Sequence, residues 1–489
     1  PSPSEPGRRP KKSGGPGNIH LPSHGRQIER LTPRLTALQQ AFDARRARVQ
    51  TEAAGLTPEE VIVLETAGPV DDFIVAVRGI PGLEWLGEIE EEDIPPDDDF
   101  FVPASDGTAR TDKNLRGRVF LVFSNQQALR QMLSLWDAWQ NGRPLPHGLG
   151  KWADVFSKLR DVRPWGVRDR LEDTGVLDDW QDRVEHAQET IPCEIEMWFR
   201  RSVQRRQDAR RRVAAIVDGL QGRVLHEAVI PDICYHALLV RLPLAAVQDL
   251  TGQAGHDMSL VQCEQIQFFR ATGQMAVVVS DGNRSPDAGA VARTVPAQLG
   301  EPVVALLDGL PLQNHGRLAD RLIVDDPDGY EQQYPANERR HGTTMASLIL
   351  HGDLNAGASP LNRRLYVRPI LRPDPRTWIT PRPETAPEDQ LVVDLVHRAV
   401  RRLFEEEGGE PAVAPQVSVV NLSIGIRDRL FDGALSPLAR LLDWLAWKYR
   451  LLFIVSAGNH PQEIELNVPR GQPSRMSAQE IQAHVVQAI

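Results

Sequence analysis

The sequence predicts two α/β architectures in one chain. From residue 301 it predicts a doubly wound parallel sheet, preceded by one or two antiparallel α+β modules of split βαβ order. Three patterns carry this. Beyond residue 302, short apolar, β-branched runs alternate with helical stretches, as in a parallel sheet buried on both faces. Between 192 and 270 the elements read β-α-β-β-α-β. From about 58 to 145 the same order recurs up to its second helix.

The first segments are an arm and a helix. Residues 1–27 are Pro-, Gly- and Ser-rich, with Arg8, Arg9, Lys11 and Lys12, and read as a solvated, disordered tail. A helix is expected within 28–55, with Leu35, Leu38, Phe42 and Val49 at helical spacing. The first α/β module then closes a segment spanning 28–150. Its strands are expected at 61–64, 83–89 and 118–123, and its helices at 71–77 and 125–139. The acidic run Glu90 to Asp99 reads as a solvated loop, since nothing spaces its carboxylates around one cation.

Residues 151–191 are expected to form a helical connector. In the module at 192–270, strands are expected at 193–199, 223–230, 235–242 and 259–268, and helices at 203–220 and 244–250. Its order makes the first and last strands neighbours, which places Cys193 near Cys263 without pointing to a bridge. Arg118 to Leu133 corresponds to His236 to Leu250, so the two modules read as a diverged repeat; the fourth strand of the first has no clear place. Residues 271–300 read as a linker.

The last domain, 301–489, is expected to run strand 303–307, helix 342–350 with a stop at Gly352, strand 365–370, a Pro-rich excursion 373–387, helix 389–404, strand 417–422, helix 435–449 and strand 451–455.

Bulk properties narrow the function. A chain of 489 residues with 41% hydrophobic and 25% charged residues has the composition of a globular protein with several cores. Its net charge of −10 disfavours nucleic acid or an anionic membrane as partner. No apolar run approaches the roughly 18 residues of a spanning helix. Cys193, Cys234 and Cys263 are too few and too odd for a disulfide framework. With no secretory apolar core near the N-terminus, the expectation is a cytoplasmic protein.

Three residues in the last domain suggest chemistry. In an open α/β sheet, ligands bind beyond the carboxyl ends of the strands, and Asp308 directly follows its strand. An acid there can hold an imidazole in one tautomer. His341 opens a helix of small residues, His-Gly-Thr-Thr-Met-Ala-Ser, and can serve as general base. Asn459, in Ser-Ala-Gly-Asn, can donate to an oxyanion. Each alone reads more simply, as a loop-capping Asp, a helix-capping His and a turn Asn. Their order and their placement at element ends favour the chemical reading. His315, His351 and His460 have no assigned role.

These segments resemble those of the subtilisin-like serine proteases, or subtilases, which carry Asp, His, Asn and Ser in that order on a parallel α/β sheet. The resemblance covers about 301–460. It implies a serine endopeptidase acting on a peptide or protein, with Asp308 as orienting acid, His341 as base and Asn459 as oxyanion donor. It implies that Ser423, Ile424 and Gly425 pair with an extended substrate, and that Ala457 and Gly458 line the pocket beside the scissile bond. No cofactor or metal is needed for the chemistry; structural calcium is common in the family. The nucleophile motif Gly-Thr-Ser-x-Ala-x-Pro is absent, and Ser474 and Ser477 do not match it. The expectation is a C-terminally incomplete subtilase whose serine lies beyond Ile489. The module at 192–270, ferredoxin-like in order, resembles the propeptide many subtilases carry before the catalytic domain. The N-terminal region with His20-Leu21-Pro22 is similar to large intracellular subtilases, which implies an AAA-type ATPase as a partner. The alternative is a catalytically inactive, subtilase-like peptide-binding protein. A different α/β hydrolase is disfavoured, because no Gly-x-Ser-x-Gly elbow occurs.

Overall fold

A computed structural model of the protein describes residues 19–51, 59–70, 73–171, 174–186, 188–251, 259–272, 299–356, 359–377, 380–425, 435–456, 476, 477, 479 and 481. Its contacts divide the chain into two units. One is Pro1–Thr272 with Glu388–Asp394 and Leu430–Trp444; the other is Gly273–Pro387 with Leu395–Arg429 and Leu445–Ile489.

In the first unit, helix α1 (His24–Thr51) starts inside the stretch expected to be a disordered arm. His20, ahead of it, bridges to Phe101 and stacks on its ring at 4.2 Å. Leu31, Leu35, Leu38 and Phe42 form the buried stripe of α1. Four strands follow: β1 (Glu59–Ala67), β2 (Leu83–Ile94), β3 (Leu115–Asn125) and β4 (Leu159–Pro164). Helix α2 (Phe73–Arg78) lies between β1 and β2; α3 (Gln126–Gln140) and α4 (Lys151–Lys158) lie between β3 and β4. The sheet order is β2-β3-β1-β4, with antiparallel pairs.

Alternation along β1 and β3 separates two faces. Ile62, Leu64, Phe120 and Val122 pack with the helices, whereas Val61, Val63, Leu121 and Phe123 pack with Trp165 and Trp198. Strand β4 is the missing fourth strand, and it falls in the stretch expected to be a helical connector. Its sequence, Leu-Arg-Asp-Val-Arg-Pro, is half charged and ends in Pro, as suits an edge. The acidic run also departs from expectation: β2 continues to Ile94, with Glu90 opposite Arg118 and Glu88 ion-paired to Arg118. Pairing to β3 and a basic partner across the ladder override the poor strand propensity of Glu.

Helices α5 (Val167–Leu171) and α6 (Val176–Glu185) lead to the second module. It runs β5 (Thr190–Met197), α7 (Val203–Gly219), β6 (Arg223–Ile230), β7 (Tyr235–Pro243), α8 (Leu244–Thr251) and β8 (Ile266–Arg270). The sheet order β6-β7-β5-β8 repeats that of the first sheet strand for strand. This is the split βαβ topology, present twice. The last strand is shorter than expected, because residues 259–265 form turns before β8. Cys193 and Cys263 share one core and are both free thiols.

The second unit contains a parallel five-stranded sheet, ordered β10-β11-β9-β14-β15. Its strands are β9 (Val304–Asp308), β10 (Leu322–Val324), β11 (Leu365–Pro369), β14 (Val419–Leu422) and β15 (Leu452–Val455), with every neighbouring pair parallel. Helix α9 (His341–His351) precedes β11, α10 (Val392–Phe404) precedes β14 and α11 (Pro437–Tyr449) precedes β15. Between β11 and α10, the Pro-rich excursion contains a small antiparallel pair, β12 (Arg372–Pro373) with β13 (Glu384–Thr385). Neither β10 nor this pair is expected from periodicity, since three and two residues are too few to show it. The chain leaves central β9 on one side to form β11, then crosses to the other to form β14. This is a topological switch point. One expectation fails for the last strand: Leu452 and Ile454 of β15 are exposed, so this strand is not buried on both faces. It is an edge of the described sheet, and among the described residues no strand covers it.

Candidate active site

Asp308 is the last residue of β9, at the carboxyl end of the central strand and fully buried. His341 is the first residue of α9 and only 8% exposed. Its Nδ1 lies 2.7 Å from Asp308 Oδ1. With the carboxylate accepting, Nδ1 carries the proton and Nε2 is left as the basic nitrogen. The Gly309 backbone N–H donates to the same Oδ1 at 2.6 Å, while Oδ2 has no partner among the described residues.

Two glycines make this approach feasible. A Cβ on Gly342 would run into the Gly309 carbonyl, and a Cβ on Gly309 would strike the Glu384 carboxyl and the Tyr334 hydroxyl. The first turn of α9 therefore rests against the backbone that leaves β9. Thr343 adds a tie, its hydroxyl accepting from Leu312 N–H at 2.9 Å. Further along, Ala346 and Leu350 pack on Leu306, Leu365 and Val367 of the sheet. The small residues of the His341 segment thus serve close helix–sheet packing, which holds the imidazole over the strand end.

Glu384, on β13, completes the cluster and had no signal in the sequence, since it lies in a Pro-rich excursion without periodicity. Its Oε2 accepts the His341 backbone N–H at 2.9 Å, and its Oε1 accepts from the Tyr334 hydroxyl. Burial pushes the Glu384 carboxyl up to about 8, against the backbone N–H groups of His341 and Gly342; the negative charge of Asp308 adds to the rise. Burial also raises Asp308, opposed by the hydrogen bond and charge of His341.

Ser423, Ile424 and Gly425 follow β14 directly. Leu422 pairs with Leu307, so Ser423 stands level with Asp308 on the neighbouring strand. The Ser423 hydroxyl donates to Asn421 Oδ1 at 2.8 Å, and Ile424 is buried. Ala457, Gly458 and Asn459 lie outside the described residues. Among the described residues, no group of three His, Cys, Asp or Glu side chains is placed to hold a metal ion, and no helix is long and apolar enough to cross a membrane. No family model matches the chain, and no curated protein matches its sequence.

Proposed function

We propose that the chain carries the acid–base half of a subtilisin-type serine endopeptidase. The observation that carries this is the 2.7 Å hydrogen bond between buried Asp308 and His341 at the carboxyl end of the central strand. In the proposed reaction, His341 Nε2 takes the proton of a serine hydroxyl as that oxygen bonds to the scissile carbonyl carbon. Asp308 stabilises the resulting imidazolium, and the carbonyl oxygen becomes an oxyanion that Asn459 is assigned to bind. The proton then passes from Nε2 to the leaving amine as the C–N bond breaks. Ser423 to Gly425, beside the dyad, offer backbone groups to an extended peptide. The sequence contains no Gly-Thr-Ser-x-Ala stretch, so the nucleophile is the part of this proposal without a residue.

The test begins with the coding frame past the codon for Ile489. Its full product, with and without H341A, is assayed on a fluorogenic peptide and with a fluorophosphonate probe. Hydrolysis and labelling that fall by at least ~10³-fold in H341A support the proposal. A product with no reactive serine that still binds extended peptides would replace it with the peptide-binding alternative.

A further inference from the structure

Among the described residues no basic side chain pairs with Glu384, whereas Glu338 and Asp374 of the same unit each hold an arginine. Glu384 is 7% exposed. Among the described residues, the groups facing it are Asp308 of β9, the Gly309 backbone just after that strand, the His341 and Gly342 N–H groups from α9, and the Tyr334 hydroxyl. On its own hairpin, the nearby cations are engaged elsewhere: Arg382 pairs with Glu338 at 2.7 Å and Arg376 with Asp374 at 3.1 Å. Across the strand pair stand Pro373, opposite Glu384, and Arg372, opposite Thr385. The hairpin itself is tied by the Asp374 N–H donating to the Pro383 carbonyl at 2.8 Å.

Two buried carboxyls that sense each other do not both ionise readily; one keeps its proton. Asp308 has the imidazole as hydrogen-bond partner, and among the described residues Glu384 has only neutral donors. The proton therefore belongs on Glu384.

We infer that Glu384 is a positioning residue for the dyad: neutral, it anchors the first turn of the His341 helix and leaves Asp308 as the single carboxylate facing the imidazole. When Glu384 ionises, a second negative charge is set against the same pair, and the protons of Glu384 and the dyad become coupled. This inference rests on the dyad assignment made above.

The experiment is a histidine-detected NMR titration of the full chain from pH 5 to 9.5, which needs no nucleophile. The His341 resonances are identified by their loss in H341Q. The wild-type His341 resonances are expected to move in a step near 8, where Glu384 releases its proton. E384Q is expected to lose that step and keep its fold. Y334F is expected to keep it, moved higher by about one pH unit, because the carboxylate loses a donor. No step near 8 in wild type, or one that survives in folded E384Q, overturns the inference. Should E384Q not fold, a step unmoved in Y334F overturns it equally. The dyad is checked separately: if D308N leaves the His341 resonances unchanged, the dyad assignment fails, whatever E384Q shows.

Discussion

Replacing Gly342 with Ala is the sharpest probe of the contact that builds the site. The added methyl would meet the Gly309 carbonyl oxygen and carbon and the Leu310 carbonyl carbon, all backbone, so no side chain can swing aside. The methyl would stand 2.0 Å from the Gly309 oxygen and ordinary contact begins at 3.4 Å, so the start of α9 must recede from the β9 exit by about 1.4 Å. Two effects oppose each other. Ala is favoured over Gly in a helix by about 1 kcal/mol. Overpacking of this kind costs about 1–3 kcal/mol, and here the Asp308–His341 hydrogen bond is stretched as well, for about 1 kcal/mol more. The clash wins, and G342A is expected to be less stable by about 1–3 kcal/mol. Urea denaturation gives this as a lower midpoint at unchanged slope. The low-field proton of the His341 Nδ1–H···Asp308 bond should weaken or vanish in the same protein. In a complete enzyme, a displacement of this size corresponds to about a 10²-fold loss of kcat/KM. G316A is the control, because a methyl there meets nothing within 4 Å. A G342A protein within about 0.5 kcal/mol of wild type, with its low-field proton intact, would refute the reasoning.

Other expectations follow from charge and capping. Glu384 has a folded-state value near 8 against an ordinary 4.5, so between these pH values the folded chain holds a proton the unfolded chain has released. Stability should therefore fall as pH rises through that window, by about 3–5 kcal/mol in total, and E384Q should flatten this slope in urea titrations at pH 5 and 8. Glu196 has the opposite sign. Arg270 and Arg440 outweigh its burial and hold its carboxyl below the ordinary 4.5. Its contribution is present above pH 4.5 and is lost as pH falls through the depressed value. E196Q leaves two guanidinium groups without their counter-charge and should cost about 3–5 kcal/mol at neutral pH by chemical denaturation. Asn125 caps α3 by accepting the Ala128 N–H at 2.8 Å; N125A should cost about 1 kcal/mol, and an unchanged midpoint would remove that cap from the account.

The parallel sheet shows where sequence suffices. The apolar runs of β9, β11 and β14 are buried on both faces, so each residue reports its environment directly, and the alternation with α9 and α10 leaves few topologies. Asp308 and His341 are legible for a related reason. Each sits at an element end: Asp308 closes a buried apolar run, and His341 opens a helix of small residues. The β-α-β-β-α-β order was equally visible, because amphipathic strands and helices carry different periods. Strand β4 was not, since an edge strand of alternating charge has the same composition as a loop and acquires its identity by pairing with β1.

Glu384 marks the limit most clearly. Pro-Glu-Thr-Ala-Pro has neither periodicity nor motif, and by composition it is exposed loop. Its burial, its donors from α9 and Tyr334 and its proximity to Asp308 arise from contacts more than 40 residues apart in the chain. The two glycines behave the same way: Gly309 and Gly342 are ordinary in the sequence, and only packing one backbone against the other makes a side chain there impossible. Local sequence determined the longer strands and helices and the residues at their ends, because burial on one face or two is written in the residue period, whereas β4, β10 and the β12–β13 pair took their identity from pairing. Tertiary structure alone decided which carboxyls share a site, because desolvation and charge coupling depend on distance in space.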